Sequence, residues 1–366
     1  MLETKRYYFF IGTVAELIKI FPIILEMEKR EIDYYIISSG QNEIEKSDVF
    51  KVISKYKSII RLSNGVKKKS AISLFSWFLK TLVKSIFGIR KKIKSVSKND
   101  YMLVHGDTVS TVMGAIIGRV YGFSVCHVES GLRSFNMTQP FPEELDRIIT
   151  SKLTDIHFPP NDWALSNLKK IRGKKYNTIN NTLLDSLNYA LNQNIKTKLI
   201  KDLKNNKFSI FVCHRQENLV NEKLLINFIE SLLKTSKKYE VLFILHEITK
   251  IALEKFDLLD SIKDNKNIIL VDRLPYFELM HILSKAEFMV TDGGSNQEEC
   301  YYLGIPTFIL RNYSERIEGI DKNVVLMKNN YKKIDKFIDN YKKYKTNSIL
   351  NESYISPSKI IVDNLL

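Results

Sequence analysis

The stretch FMVTDGGSNQEECYYLGIPTFIL, residues 288–310, has the order strand, glycine turn, helix, strand that is typical of a βαβ unit. Phe288–Thr291 and Thr307–Leu310 are short apolar runs, and two glycines follow the first of them. Such a turn points free backbone N–H groups and the positive end of the helix dipole outward, where a diphosphate fits. The same pattern also fits a tight turn whose first-turn acids only complement the dipole.

Runs of the same kind extend outward from this stretch and fall into two sets. Strand-like runs of the first set are Tyr7–Ile11, Tyr34–Ser38, Tyr101–Val104 and Ser124–Val128, and helix-length stretches such as Val14–Lys29 and Val109–Tyr121 separate them. Strand-like runs of the second set are Ser209–Cys213, Glu240–Leu245, Ile268–Val271, Phe288–Thr291 and Thr307–Leu310. The alternation pauses at Gly173–Asn181.

The two sets predict an α/β protein with two Rossmann-like doubly wound domains that face a central cleft. We expect an N-terminal domain over residues 1–179, a C-terminal domain over 180–350, and a helix over 351–366 that packs back toward the N-terminal domain. A chain of 366 residues suits two cores, because a single core rarely grows beyond roughly 250–300 residues. Hydrophobic residues at 44% and charged residues at 27% exclude a disordered chain.

The cysteines and the N-terminus indicate the compartment. Cys126, Cys213 and Cys300 lie far apart in the sequence, which fits neither a disulfide framework nor a cysteine metal site. The first ten residues carry charges and then only a strand-length apolar run, unlike a signal peptide. We therefore expect a cytoplasmic protein without a metal site.

Positive charge is concentrated in one part of the chain. The net charge is +15, and between Val66 and Lys98 lysine and arginine recur with no acidic residue among them. The segment 71–98 is also amphipathic, too interrupted by charge to span a bilayer, and typical of a helix that contacts an anionic membrane surface. The alternative is a core helix whose lysines are solvated. Nucleic acid is not an expected partner, because no binding motif accompanies the charge.

Polar residues follow the predicted strands, at the sheet edge where α/β proteins bind ligands. Crowded carboxylates there, at Asp107, Glu129 and Glu143, favour acid-base chemistry, because like charges raise at least one pKa. Each acid has another interpretation: Asp107 as a helix cap, Glu143 as a first-turn acid, and both as ion-pair partners of arginines. His214 and the arginine after it have the right chemistry to donate to phosphate oxygens.

Seven segments, taken in order, resemble the UDP-N-acetylglucosamine 2-epimerase family. They are HGDTVST (105–111), HVESGLRS (127–134), PFPEELDR (140–147), CHRQEN (213–218), RLPYFELM (273–280), TDGGSNQEEC (291–300) and LGIPTFILRNYSER (303–316). The resemblance implies the GT-B architecture, with UDP mainly on the C-terminal domain. It implies no metal ion or organic cofactor, and homodimers occur in the family.

The resemblance also implies roles for individual residues. Catalytic positions are Lys19, Asp107, Glu129, Glu143 and His214. Substrate-binding positions are Gly12, Thr13, His105, Arg133, Arg147, Arg215, Glu217, Phe277, Asp292, Gly293, Gly294, Ser295, Glu298, Glu299 and Arg316. In the family's non-hydrolysing enzymes a carboxylate removes the C2 proton while UDP leaves, and both then add back to a 2-acetamidoglucal.

Three segments depart from the family pattern, and they keep alternatives open. The first motif reads Gly-Thr-Val-Ala-Glu at 12–16 instead of Gly-Thr-Arg-Pro-Glu, the glycine turn reads Asp-Gly-Gly-Ser at 292–295, and Asp146 stands where asparagine is expected. The first hypothesis is an epimerase that interconverts UDP-GlcNAc and UDP-ManNAc for surface polysaccharide synthesis. The second is a GT-B glycosyltransferase with a lipid-linked acceptor, and the third is a nucleotide-sugar sensor without activity.

Overall fold

The computed structural model of the chain describes residues 5–64, 71–89, 93, 96–137, 142–195, 197, 199, 203, 207–350 and 354–366. They form two compact units. The first unit contains the described residues up to Ser186 together with Ile355–Leu366, and the second is Leu187–Tyr354. The boundary between them lies within one helix, Leu183–Leu191.

The first unit is built on a parallel sheet. Its strands are β1 (Tyr7–Ile11), β2 (Tyr34–Ser38), β3 (Ile59–Arg61), β4 (Tyr101–His105), β5 (Ser124–Val128), β6 (Ile156–Phe158) and β7 (Lys174–Lys175), in the spatial order 3-2-1-4-5-6-7. Every residue of β1 is buried, as expected of a parallel strand that is covered on both faces. Helices of this unit are α1 (Val14–Lys29), α2 (Ala71–Gly88), α3 (Val109–Tyr121), α4 (Glu143–Leu153), α5 (Asp162–Asn167) and the start of α6 (Leu183–Leu191).

The second unit has a parallel sheet of its own. Its strands are β8 (Phe208–Phe211), β9 (Glu240–Ile244), β10 (Ile268–Val271), β11 (Met289–Thr291), β12 (Thr307–Ile309) and β13 (Val324–Leu326), in the order 10-9-8-11-12-13. Helices after α6 are α7 (Gln216–Leu219), α8 (Glu222–Ser236), α9 (Glu247–Lys255), α10 (Asp260–Lys263), α11 (Tyr276–Leu283), α12 (Gly294–Leu303) and α13 (Lys333–Asn340). Short 3₁₀ helices occur at Ile44–Lys46, Phe50–Val52 and Tyr341–Tyr344.

The last helix, α14 (Pro357–Leu365), lies in the first unit. Ser356 caps it, and Pro357 occupies its first turn, where a missing N–H costs no helical hydrogen bond. Asp363 pairs with Arg30 at 2.5 Å, and the Tyr7 hydroxyl donates to the Leu365 carbonyl at 3.1 Å. These contacts hold the C-terminal segment against α1 and β1.

A proline inside α1 leaves one helical carbonyl without its backbone donor, and a residue of α6 replaces that donor. Pro22 has no backbone N–H, so the carbonyl of Ile18 one turn earlier loses its helical donor. The Ser186 hydroxyl lies 2.5 Å from that carbonyl oxygen and donates to it. A side chain of the neighbouring helix thus replaces a backbone donor.

The predicted α/β class with two parallel sheets is confirmed, and so are the bounds of α1, α3, β1, β2, β5 and β10. The bounds predicted for β4, β8, β9, β11 and β12 are wrong by one or two residues at an end. Residues there such as Leu245, Phe288 and Leu310 are apolar but lie outside the strands, so an apolar run alone does not fix where a strand ends. Sequence reasoning missed β3, β6, β7 and β13. Each of these has only two or three residues, too few to display a strand period.

Helix α2 covers much of the basic segment predicted to be amphipathic. The lysines at 67–69 and the basic residues at 90–92 and 94 lie outside the described residues. A search of the described helices finds none with the length and apolar character needed to cross a membrane.

Candidate active site

The loop after β1 is anchored by Glu16, one turn into α1. Thr13 caps the helix, and Glu16 closes a capping box: its carboxylate accepts the N–H groups of Gly12 at 2.5 Å and Thr13 at 3.1 Å. The Thr108 hydroxyl, at the start of α3, donates to the other oxygen of Glu16. Burial raises the pKa of Glu16 to about 7, although these donors oppose the shift. Glu16 therefore ties together the loops that follow β1 and β4.

Glu129 is the centre of a buried polar cluster directly after β5. Its carboxylate lies 2.5 Å from the ammonium of Lys19 and 3.6 Å from a ring nitrogen of His105, and it accepts a hydrogen bond from Asn181. The side chains of Lys19 and Glu129 are only 5% and 3% exposed. The backbone φ of Glu129 is +62°, a conformation that costs a non-glycine residue free energy and that clusters at functional sites.

Asp107, in the loop after β4, pairs with Arg147 of α4. The same guanidinium donates to Glu144 at 3.1 Å, and Arg133 donates to Glu144 at 2.5 Å. Burial alone would raise the pKa of Glu144, but hydrogen bonds from the Ser134 N–H and both arginines outweigh it and lower the pKa. The predicted pairing of Asp107 with an arginine is thus present, whereas Arg133 pairs with Glu144. Thr108 rather than Asp107 caps α3.

Asp146 lies beside these groups on α4 and differs from them in having a raised pKa. Burial raises its pKa to about 8, and the nearby charges of Asp107 and Glu143 add to the shift while Arg147 opposes it. The residue is 6% exposed. Burial and the neighbouring carboxylates therefore favour the neutral form of Asp146.

In the second unit, Asp292 organises the loop between β8 and α7. Its fully buried carboxylate accepts the backbone N–H groups of His214 at 2.9 Å and Arg215 at 2.8 Å, and the amide of Asn218 at 3.1 Å. Ring nitrogen Nδ1 of His214 lies 2.9 Å from the other carboxylate oxygen. Burial would raise the pKa of Asp292, but His214 and these donors hold it well below its usual range. The aspartate therefore fixes His214 and Arg215 at the sheet edge.

The glycine turn begins α12 as the sequence predicted, with Gly293 as N-cap and Gly294 as first helical residue. A Cβ at Gly293 would lie 2.4 Å from the Asn296 side chain, and one at Gly294 would lie 3.1 Å from Arg316. Both positions are therefore crowded. The first N–H groups of this ten-residue helix, including that of Ser295, have no intrahelical acceptor and suit an anion.

Behind the turn, four buried charges form a chain of ion pairs. Glu298 contacts Arg316 at 3.0 Å, Arg316 contacts Glu315 at 2.6 Å, and Glu315 contacts Arg311 at 2.7 Å. Two cations balance two anions. The guanidinium of Arg316, predicted to bind substrate, is thus engaged by two glutamates of its own unit.

The remaining predicted residues are distributed more widely within the second unit. Glu217 lies 3.5 Å from Arg215, and Glu299 accepts a hydrogen bond from Asn296 at 2.9 Å. Phe277 is buried, with its ring centroid 5.6 Å from that of Tyr189.

Sequence reasoning did not select Glu16, Asn181, Glu144 or Asp146 as site residues. The spacing Thr13-x-x-Glu16 is a capping-box signal from which Glu16 was recognisable. The other three depend on contacts between residues far apart in the chain or across a helix. Of these, only Asp146 is marked by the sequence, as a departure from the family pattern. Among the described residues, no group of three histidine, cysteine or carboxylate side chains is arranged to hold a metal ion.

Comparison with known proteins identifies the family of the chain. The curated UDP-N-acetylglucosamine 2-epimerase of Methanocaldococcus jannaschii is 29% identical over 345 residues, which cover 90% of each chain. A crystal structure of the enzyme from that organism in complex with UDP-GlcNAc and UDP matches with a TM-score of 0.81 and 28% identity over 99% of each chain. The Neisseria meningitidis enzyme bound to UDP-GlcNAc matches with a TM-score of 0.82 and 27% identity over 99% of each chain.

The fold is therefore of the GT-B class, as expected. The family model described as UDP-N-acetylglucosamine 2-epimerase matches residues 25–357, most of the chain. With the buried carboxylates of the first unit and the glycine turn of the second both present, this chain belongs to the UDP-N-acetylglucosamine 2-epimerase family.

Proposed function

We propose that this chain interconverts UDP-GlcNAc and UDP-ManNAc and thereby supplies activated amino sugars for surface polysaccharide synthesis. The observation that carries the proposal is Glu129: a buried carboxylate in a left-handed backbone conformation, 2.5 Å from the ammonium of Lys19. A strained acid with a fixed cation suits proton transfer, because its position and charge are set before substrate arrives.

The reaction requires two acid-base groups with different positions. In the first half, one carboxylate takes the proton from C2, the C1–O bond breaks, and UDP leaves with the bonding electrons, giving 2-acetamidoglucal. In the second half, an acid returns a proton to the opposite face of C2, and a UDP oxygen forms the C1–O bond again. Asp107, Glu129 and Glu143 are the candidates for the two proton-transfer roles.

UDP departure requires stabilisation of the diphosphate charge. His214 and Arg215, held by Asp292, and the N-terminus of α12 present N–H donors and positive potential within the second unit. We propose that these groups bind the diphosphate, with Glu299 near the ribose. Family membership and the retained acids support the epimerase hypothesis over the glycosyltransferase hypothesis.

Proton NMR in D₂O tests the activity directly. Purified protein with UDP-GlcNAc is expected to exchange the C2 hydrogen for deuterium and to form UDP-ManNAc. Glu129→Gln is expected to slow both processes by about 10²–10⁴-fold, the usual contribution of an acid-base group. Glu43→Gln, at an exposed glutamate of the same unit, is the matched control. UDP binding without exchange or product in the unaltered protein would reject the proposal.

We also propose that the enzyme works in the cytoplasm and contacts the inner membrane surface through α2. The three cysteines are buried free thiols, which suits a reducing compartment. Phe75, Leu79, Val83 and Phe87 are exposed by 61%, 44%, 55% and 76%, and their spacing of four residues aligns them along one helix face. Lys80 and Lys84 are also exposed, so the surface matches anionic headgroups.

Vesicle sedimentation tests this contact. The protein is expected to sediment with phosphatidylglycerol vesicles and not with neutral phosphatidylcholine vesicles, and Phe75→Ser/Phe87→Ser is expected to stay in the supernatant. If the double variant sediments as the parent does, the membrane proposal is wrong. If the parent binds neither kind of vesicle and the double variant has half the parent's molecular mass in solution, the apolar face instead joins two copies of the chain.

A further inference from the structure

Asp146 has an environment that the reaction described so far does not use. It is the fourth residue of α4 and 6% exposed, and its oxygen Oδ2 is buried without a hydrogen-bond partner among the described residues. Buried polar atoms are nearly always paired. An orphaned carboxyl oxygen next to a candidate catalytic site therefore calls for a functional explanation.

The charges that face Asp146 are mainly negative. Asp107 approaches from the loop after β4 and Glu143 from the same helix, while Arg147 provides a positive charge. The guanidinium of Arg147 is directed at Asp107 through Nη2 and at Glu144 through Nη1. Ionised Asp146 would add one more buried anion to a cluster whose arginine already has two carboxylate partners.

Among the described residues of α3 and β5, which pack against α4, none supplies a compensating cation. Arg119 of α3 forms a bidentate pair with Asp155, at 2.7 and 2.8 Å. His127 of β5 contacts the Gly106 carbonyl through Nε2, and burial lowers its pKa to about 3, so it is neutral in the working range. A proton on Asp146 is the simplest way to avoid the cost of an unpaired buried charge.

We propose that Asp146 is a positioning residue that carries a proton in the working enzyme, so that no further anion stands beside Asp107 and Glu143. The proposal rests on the epimerase function proposed above. Loss of the proton in alkaline solution places a like charge beside both acids, and the repulsion disturbs the positions of their side chains. Asparagine has nearly the shape of the neutral acid and cannot ionise.

The pH dependence of kcat/KM separates this role from a purely structural one. The parent enzyme is expected to lose activity above about pH 8, approaching tenfold per pH unit, as a single ionisation requires. Asp146→Ala is expected to lower kcat/KM at pH 7, and Asp146→Asn to restore most of it and to abolish the alkaline decline up to about pH 9. Asp33→Asn, at an exposed aspartate of the same unit, must keep the parental profile.

Two results would overturn the role. An alkaline decline in Asp146→Asn identical to that of the parent would assign the ionisation to another group. A loss of more than about 100-fold in Asp146→Asn at pH 7, with UDP affinity unchanged, would mean that Asp146 delivers its proton to the reaction itself.

A second measurement does not require turnover. In protein labelled with ¹³C at the aspartate carboxyl groups, one resonance is expected to titrate near pH 8 and to be missing in Asp146→Asn. If no such resonance exists, the proton is not there and the proposal is wrong, whatever the activity. If the resonance exists but UDP-GlcNAc is not converted, the proton is established and the epimerase function is what fails.

Discussion

Asp146 in the first unit and Asp292 in the second are both buried aspartates beside candidate binding residues, yet their pKa values move in opposite directions. Burial raises the pKa of Asp146 to about 8, with Asp107 and Glu143 adding to the shift. Burial acts in the same direction on Asp292, but His214 and the N–H groups around it reverse the outcome and lower the pKa. The difference teaches that the hydrogen-bond donors, rather than the degree of burial, decide which aspartate stays charged.

Each charge state suits its neighbourhood. Asp292 must be an anion, because three N–H groups and a histidine of one loop converge on it. Asp146 faces other acids, so the neutral form is the favourable one. The second unit thereby holds the loop of His214 and Arg215 in place. The first unit holds the acids for which we propose proton transfer.

The largest effect is expected from removing the charge of Asp292, whose carboxylate accepts several hydrogen bonds. Asp292→Asn leaves the N–H groups of His214 and Arg215 facing a neutral amide, and breaking a buried charged contact typically costs about 3–5 kcal/mol. Urea denaturation at pH 7 measures the loss of unfolding free energy, and calorimetric titration with UDP measures the accompanying loss of affinity. Asp272→Asn, at an exposed position of the same unit, is the control and should leave both unchanged. Equal stability of the two variants would contradict the assignment.

The next largest effect is expected from removing the cation that contacts Glu129 in the first unit. Lys19→Met removes the ammonium 2.5 Å from Glu129 and favours the neutral form of that acid, which cannot accept a proton. We expect kcat/KM for UDP-GlcNAc to fall about 100-fold or more. Lys29→Met, at an exposed lysine of the same helix, should behave as the parent. A fall of less than threefold would mean that the pair has no part in turnover.

Asp146 and Asp292 should also make the unfolding free energy depend on pH in opposite ways. The folded pKa of Asp146 is above its unfolded value near 4, so its stabilising proton is fully present below pH 4 and is lost as pH rises through about 8. The lowered pKa of Asp292 has the opposite effect: its contribution is present above pH 4 and is lost in acid.

Asp146→Asn should therefore melt at nearly the parental temperature at pH 4.5 and at a higher temperature at pH 8.5, by several degrees. Differential scanning calorimetry of both proteins across this range measures the difference. A melting difference that does not change with pH would show that Asp146 is ionised in the folded protein throughout.

The smallest effect is expected for an ion pair in solvent. Arg119 and Asp155 are 49% and 39% exposed, despite their bidentate contact. Arg119→Gln should cost at most about 1 kcal/mol of unfolding free energy, and added salt should reduce the cost. Urea denaturation at low and high salt measures it. If Arg119→Gln lost as much unfolding free energy as Asp292→Asn, burial would not explain why the two sites differ in stability.

The fold was largely predictable because its signals are local. Buried parallel strands such as Tyr7–Ile11 read as continuous apolar runs, and Thr13 and Thr108 carry the chemistry of helix N-caps at the positions where α1 and α3 begin. The short edge strand Lys174–Lys175 has neither an apolar run nor a two-residue alternation, so the sequence there predicts only a pause between domains.

The site was predictable in its residues but less so in its contacts. Their places just after predicted strands mark Asp107, Glu129 and His214 as candidate site residues, because α/β sheets bind ligands at that edge. No spacing rule, however, joins Asn181 to Glu129 across 52 positions or shows that Asp146 faces two other acids. Those facts belong to the packed structure, where burial and neighbouring charge act together.

The hydrogen bond from Ser186 to the Ile18 carbonyl links two positions in evolution. Proline at 22 removes a helical donor, and the Ser186 hydroxyl satisfies the carbonyl that loses it. Substitutions at the two sites should therefore be strongly non-additive, and descendants of this chain should tend to change both or neither.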